Sequence, residues 1–471
     1  MSLPTLPPDP CEPGGIAGFA ERLRAGATTA EAATEAYLDR IEILEPRLGA
    51  FECVMANQAL DTARALDGLL AAGTDLGPLM GVPVAVKDLF AINGTPTTAG
   101  SNIDLSDIIG GEGTFIKILR RAGCVILGKT KTPEFAMGSV GGRGGVTHLR
   151  GTPWNPWDAE IQRSPGVSSS GSAVAVAGGL CAFAIGTDTG GSVRGPSAMC
   201  GIFGLKTTPG LWPADGMFPQ APALDTIGPM TATAADAALV FAALQGTALP
   251  RAHPLGGLRL AKPVNHFYEE LAPPVEACVA AALETLANAG ATIVPVEIPE
   301  IAEPKRDFGA YVPANLLAVL GRERFLAERH RMDPLIVPRI ADGLEVKADH
   351  YIRLMWRRQE LARLIGDRME GFDGWVLPTA GMVAPPMSDV EGRDADDLRA
   401  EMATRKTHRR MAANFFGLCA TSTPIQTFGS ELPVGLQVMC PAGGDGGALS
   451  IALSLEGLFG APPRPDLGGF L

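Results

Sequence analysis

Ser168-Ser-Ser-Gly-Ser-Ala-Val-Ala-Val-Ala-Gly-Gly-Leu180-Cys-Ala-Phe-Ala-Ile185-Gly-Thr-Asp-Thr-Gly-Gly-Ser192 reads as a helix, a strand and a tight loop in immediate succession. Ala173 to Leu180 is a run of small residues with serines before it and glycines at its end, which suits a helix packed closely on all sides. Leu180 to Ile185 is unbroken and apolar, the pattern of a strand covered on both faces. Gly186, Gly190 and Gly191 then let the chain fold tightly in front of Ser192. Buried helix, buried strand and glycine loop together are the pattern of an α/β protein. Upstream, Gly81-Val-Pro-Val-Ala-Val-Lys87 reads as another strand, with Val82, Val84 and Val86 alternating with Pro83, Ala85 and Lys87. Lys87 therefore points to the face opposite the valines. Taken alone, the Gly/Ser stretch 164–172 has the composition of a flexible linker; the packed helix that follows argues against that reading.

Ser192, Ser168 and Lys87 supply a nucleophile, a proton relay and a base without any histidine. A serine hydroxyl is a weak nucleophile until a base, or a relay to a base, takes its proton. Lysine serves as that base only when uncharged, and burial favours the neutral amine. Backbone N–H groups of Thr189, Gly190 and Gly191 are candidate donors to the oxyanion of a tetrahedral intermediate, each worth roughly 10²–10³ in rate where such donors have been removed. Asp188 and Arg194 flank the loop with opposite charges and are expected to pin it, with Ser169 as further structural support. A lone Lys87 at a solvated strand edge, and an ordinary Asp188–Arg194 ion pair, are the plain alternatives.

These residues carry a resemblance. Gly81-Val-Pro-Val-Ala-Val-Lys87-Asp88, Gly166-Val-Ser168-Ser169-Ser170-Gly171-Ser172 and Gly186-Thr-Asp-Thr-Gly-Gly-Ser192-Val-Arg194 resemble the lysine strand, the Gly/Ser motif and the nucleophile loop of the amidase signature family. Glu134-Phe-Ala-Met-Gly138, Asn155-Pro-Trp-Asp158, Cys200 to Lys206, Leu224 to Pro229 and Leu432 to Gln437 extend the match along nearly the whole chain. The resemblance implies a single α/β/α domain around a large mixed β-sheet spanning 1–471. It also implies a Ser–cis-Ser–Lys triad in which Ser192 is acylated, Ser168 follows a cis peptide and Lys87 draws the proton through Ser168. Val167 and Ser170 stand where the family usually has glycine, which bears on loop geometry rather than on the triad.

Along the chain, Thr28 with Glu31 suggests a capping box opening a helix that places Tyr37, Ile41 and Leu44 on one face, within a helical N-terminal segment 1–75. Strands and small-residue helices alternate over 76–230, the catalytic core. Leu258 to Ala261 and Thr292 to Val296 read as strands either side of a helix from Pro274 to Ala287. The segment 303–372 is dense in Arg and Glu and reads as solvated surface helices, the alternative being a peripheral helical cap over the site. Met137, Val140, Trp212, Met217 and Phe218 lie near the motifs and are candidates for an apolar acyl pocket, with core packing as the competing reading.

With 46% hydrophobic residues and a net charge of −12, the chain can bury a large core and is poorly suited to nucleic acid or an anionic membrane surface. The N-terminus lacks a basic region and an apolar core, so no signal peptide is expected, and the longest apolar run is too short to span a bilayer. Eight scattered cysteines read as buried thiols in a reducing, cytoplasmic compartment, and neither they nor the six histidines show metal-ligand spacing. No cofactor is expected. Gly123-Cys-Val-Ile-Leu-Gly-Lys-Thr130 fits the pattern of a phosphate-binding loop, but Cys-Val-Ile-Leu is itself strand-like and Pro133 follows closely, against the strand–loop–helix context the motif requires. The expected activity is hydrolysis of a small-molecule carboxylic amide to an acid plus ammonia or amine. The alternative is the glutaminase subunit of a tRNA-dependent amidotransferase, with a non-catalytic scaffold disfavoured because all three reactive residues are present. Oligomeric state is open, a homodimer included.

Overall fold

The computed structural model describes residues 5–137, 148–389, 393–394, 396–397, 400 and 409–471. Its centre is one eleven-stranded mixed sheet. The strands are β1 (Phe51–Val54), β2 (Pro83–Lys87), β3 (Val125–Thr130), β4 (Phe183–Asp188), β5 (Phe203–Lys206), β6 (Thr226–Thr231), β7 (Arg259–Pro263), β8 (Thr292–Val296), β9 (Gly374–Pro378), β10 (Cys419–Pro424) and β11 (Gly435–Cys440). They lie in the order β1-β3-β2-β4-β6-β5-β10-β11-β9-β7-β8, with β3, β2 and β4 mutually parallel and an antiparallel run from β4 through β9. Helices pack against this sheet, as expected of an α/β chain whose central strands carry no solvent face.

Every residue of β2, β3 and β4 is buried, which explains their unbroken apolar character. Pro83 is tolerated because it opens its strand. The helix read from the small-residue run spans Ser170–Ala177 and is buried throughout, with Gly178 at its C-cap. The following strand begins and ends later than its apolar run suggests. β4 pairs with β6 from Phe183↔Thr231 to Asp188↔Thr226, so Gly186 to Asp188 belong to the ladder and the loop starts only at Thr189.

At the N-terminus the cap is Thr29, not Thr28. Its hydroxyl accepts from Ala32 N at 3.0 Å, while Asp67 takes the Ala30 and Glu31 N–H groups and Glu31 itself pairs with Arg64. A distant carboxylate thus takes the first-turn donors, and Glu31 does not act as a capping-box partner. Tyr37, Ile41 and Leu44 are buried on the core face as read. The segment 1–75 also contributes an edge strand, β1, which pairs antiparallel with β3. Lys129 and Thr130 of the phosphate-loop pattern lie inside β3, Lys129 in a buried ion pair with Asp88 at 2.5 Å, so no loop exists there to cradle a phosphate. The segment 303–372 is helical, at Glu303–Leu320, Arg322–Glu328, Val337–Ala341 and Ala348–Met369. These helices are not merely solvated: Phe308, Tyr311, Leu316, Leu361 and Ile365 are buried in the main core. No helix among the described residues is long and apolar enough to cross a membrane.

Candidate active site

β2 and β4 are parallel neighbours, so their C-terminal ends, Lys87 and Asp188, arrive at the same edge of the sheet. The helix Ser170–Ala177 starts at that edge, which brings Ser168 and Ser169 down onto the strands. Gly186 is required for this approach, because a Cβ there would lie 2.6 Å from Ser169 Oγ. The Val167–Ser168 peptide is cis. Ser169 N donates to the Ser192 carbonyl at 3.1 Å, tying the Gly/Ser segment to the loop that carries Ser192.

Lys87 is fully buried, and its Nζ meets three hydroxyls: Ser168 Oγ at 2.8 Å, Thr187 Oγ1 at 2.9 Å and Ser169 Oγ at 3.2 Å. Hydroxyls both donate and accept, so this ring suits a neutral amine as well as an ammonium. Burial lowers the Lys87 pKa to about 7, against the opposing pull of the Asp188 and Asp225 carboxylates. Among the described residues no hydrogen bond joins the Ser168 and Ser192 hydroxyls. In unliganded enzymes such catalytic contacts are often long and close only around substrate. Ser192 and Gly190 are partly exposed while their neighbours are buried, so this stretch of loop is where a ligand can enter.

The loop is held from below by charge. Asp188 accepts from Gly191 N at 2.8 Å, Val193 N at 3.0 Å and the Arg194 guanidinium at 2.9 and 3.1 Å. Burial by itself would raise the Asp188 pKa, but Arg194 overrides it and holds the carboxyl well below the usual range. Arg194 donates further to Gln437 Oε1 at 2.5 Å and Asn414 Oδ1 at 2.7 Å, so four of the five guanidinium protons of this fully buried ion pair have partners. One detail departs from the sequence reading: Gly191 N–H is consumed by Asp188. The N–H groups of Thr189, Gly190 and Ser192 have no partner among the described residues and remain as donors. Thr189 is fixed through its hydroxyl, 2.5 Å from Asp225 Oδ1, and Asp225 also caps Gln220 N and Ala221 N.

Ser170, at a position usually held by glycine, donates to Gly166 O at 2.7 Å and lies 3.0 Å from His148 Nε2, so its side chain is absorbed by the motif's own turn. His148 reaches Ser170 rather than either candidate serine. Of the pocket candidates, Val140 lies outside the described residues, as does Gly138, the last residue of the matched motif Glu134–Gly138. Met137, Trp212, Met217 and Phe218 are all buried in the main core; Trp212 packs against Phe115 and Phe241, and Phe218 stacks on Phe135.

The wall over Ser192 comes from elsewhere. A Cβ on Gly190 would sit 2.6 Å from the Phe308 ring, and one on Gly191 would meet the Arg410 side chain at 2.4 Å. Behind Phe308, Tyr311 stacks on Tyr351 at 5.4 Å, and Arg358 donates to Ala223 O at 2.8 Å, one residue from Leu224. Arg358 Nε is buried without a hydrogen-bond partner among the described residues. Asn414, Phe308 and Arg358 were missed by sequence reasoning; Thr187, Asp225 and Gln437 lay within matched motifs but were not singled out. Among the described residues no His, Cys, Asp and Glu cluster could hold a metal ion.

A buried lysine–serine pair beneath a glycine loop at the C-terminal edge of parallel strands marks an α/β hydrolytic enzyme. Residues 32–449 match the family model Amidase, and the chain belongs to that family of amidohydrolases acting on C–N bonds. It is 36% identical over 451 residues to 2-amino-5-chloromuconic acid deaminase of Comamonas testosteroni, covering 94% of this chain and 96% of that protein. It is also 36% identical over 442 residues to a subunit of glutamyl-tRNA(Gln) amidotransferase from Aromatoleum aromaticum, covering 86% and 88%. In structure it resembles native peptide amidase from Stenotrophomonas maltophilia, with a TM-score of 0.79, 29% identity and coverage of 98% and 100%.

Proposed function

We propose that the protein is a serine-dependent hydrolase that cleaves the C–N bond of a small, carboxylate-bearing amide through an acyl-enzyme at Ser192. The observation that carries the reading is the buried contact of Lys87 Nζ with Ser168 Oγ at 2.8 Å. Neutral Lys87 takes the Ser168 proton as Ser168 takes the proton of Ser192, and Ser192 Oγ attacks the carbonyl carbon. The resulting oxyanion is met by the N–H groups of Thr189, Gly190 and Ser192. Collapse breaks the C–N bond, and the relay returns the proton to the departing amine or ammonia. Water, deprotonated along the same path, then hydrolyses the ester and frees Ser192.

Arg358 supports the carboxylate. It has a buried Nε–H with no partner among the described residues, interacts electrostatically with Tyr311 and Tyr351, and reaches Ala223 O at 2.8 Å, two residues before Asp225, which holds Thr189. A guanidinium in that setting is completed by a planar anion. A relative whose named substrate is an amino-substituted diacid is in keeping with this. The eight unpaired cysteines suit a reducing, cytoplasmic setting.

The second reading, the glutaminase subunit of a tRNA-dependent amidotransferase, is favoured by the similarity to the Aromatoleum aromaticum amidotransferase chain, and glutamine too carries a carboxylate. The test is ammonia or amine release by the purified chain alone from carboxylate-bearing amides, their methyl esters, neutral amides and glutamine. Turnover of a non-glutamine carboxylate substrate, lost in Ser192→Ala, is expected; activity confined to glutamine would favour the second reading, and preference for neutral amides would remove Arg358 from it.

A further inference from the structure

The helix Ala348–Met369 buries Leu354, Leu361 and Ile365, while its opposite face carries Ile352, Met355 and Trp356 into solvent. Trp356 is 65% exposed, more than any other large hydrophobic side chain among the described residues. Scattered surface apolar residues are ordinary, but three clustered around a tryptophan on one helix face are the composition of an interface centre. The charges around them have an order. Asp349, Arg353, Trp356, Glu360, Arg363 and Asp367 follow one another at spacings of four and three, the repeat that aligns a stripe along a helix. All five charged members are more than half exposed.

We propose that this stripe is the contact surface for a second copy of the chain, the two helices lying antiparallel about a two-fold axis at Trp356. Under that symmetry Asp349 faces Arg363 of the other copy, Arg353, three residues from the axis, lies beside Glu360, four residues from it and within reach of its long side chain, and the two tryptophans meet at the axis. Both pairings join opposite charges. A parallel pairing would set Asp349 on Asp349 and Arg353 on Arg353, which like-charge repulsion forbids. The isolated chain uses the same charges only for exposed pairs within the helix, Arg353 with Asp349, Glu360 with Arg357 and Arg363 with Asp367. Exposed pairs within a helix contribute little, so exchanging them across an interface costs little. A self-complementary patch of this kind closes as a dimer rather than growing into a filament. The helix also carries Tyr351 and Arg358 on its inner side, so the contact would steady the wall of the site in both copies.

The experiment is the solution mass by sedimentation velocity over a dilution series, with circular dichroism and turnover confirming that each variant folds. Wild type is expected to sediment at twice the 48.9 kDa chain mass. Trp356→Glu should weaken association by ~10-fold or more, as loss of a central hot spot does. Arg353→Glu and Glu360→Arg should each weaken it, and the double reversal, which restores opposite charges across the axis, should recover most of the loss. A monomeric wild type, a dimer indifferent to Trp356→Glu, or a double reversal weaker than either single change would overturn the proposal. So would protection of Trp356 fluorescence only by anionic vesicles or by an unrelated protein.

Discussion

Lys87 is fully buried and, among the described residues, hydrogen-bonds hydroxyls and no carboxylate; its protonation state follows first from that burial. With burial holding its pKa to about 7, the amine is largely neutral just above neutrality and charged below it. As the base must be neutral, kcat/KM should rise with pH through an apparent pKa near 7 and fall about tenfold per unit on the acid side. A pH–rate profile checks this, and Lys87→Ala should abolish the limb along with most of the turnover. Replacing Thr187 by valine removes one partner of the amine and should move the limb while leaving the fold intact. The motifs made Lys87, Ser168 and Ser192 legible as candidates because each stands in a local pattern. Thr187 stood inside the matched Gly186–Arg194 motif but was read as loop, and only its place in β4 turns its hydroxyl to Lys87; Asn414, 226 residues from Asp188, gave no signal at all.

The element that matters most is the loop from Thr189 to Ser192, and its geometry is set by contacts on both sides. Asp188 anchors it below, and Phe308 and Arg410 press on its glycines from above. Gly190→Ala should therefore drive the new methyl into Phe308 and displace an oxyanion donor, at a cost of roughly 10²–10³ in kcat. Pairing it with Phe308→Ala should restore a large part of that loss; steady-state kinetics on the single and double variants measure it. If the double variant is no better than Gly190→Ala alone, the loop is not limited by that contact. The sequence was a fair guide to this element but placed the strand before it too early. Apolar character marks where β4 is covered, whereas its end is fixed by pairing with β6, which lies some forty residues ahead in the chain. The Asp188 side chain likewise claims Gly191 N–H, a choice that residue types alone do not reveal.

At the scale of the molecule, the parallel strands β2 and β4 carry the candidate site at their C-terminal ends, and Phe308, from the helices of 303–369, packs on its loop. The order of the strands was beyond sequence reading, since β10 and β11 insert between β5 and β9 from the far end of the chain. The charge density that marked 303–372 as surface helices was real, but it masked the residues those helices turn inward, Phe308 and Arg358 among them. If Arg358 reads a substrate carboxylate, Arg358→Ala should raise KM by ~10-fold or more for the acid, with little change for its methyl ester. The central claim, however, is that Ser192 is acylated by way of Lys87 and Ser168, and peptide mapping by mass spectrometry after reaction with a serine-directed fluorophosphonate tests it most directly. One adduct is expected, on Ser192, formed by wild type, slowed strongly in Lys87→Ala and in Ser168→Ala, and absent in Ser192→Ala. An adduct on another residue, or labelling of Ser192 at an unchanged rate without Lys87, would contradict it.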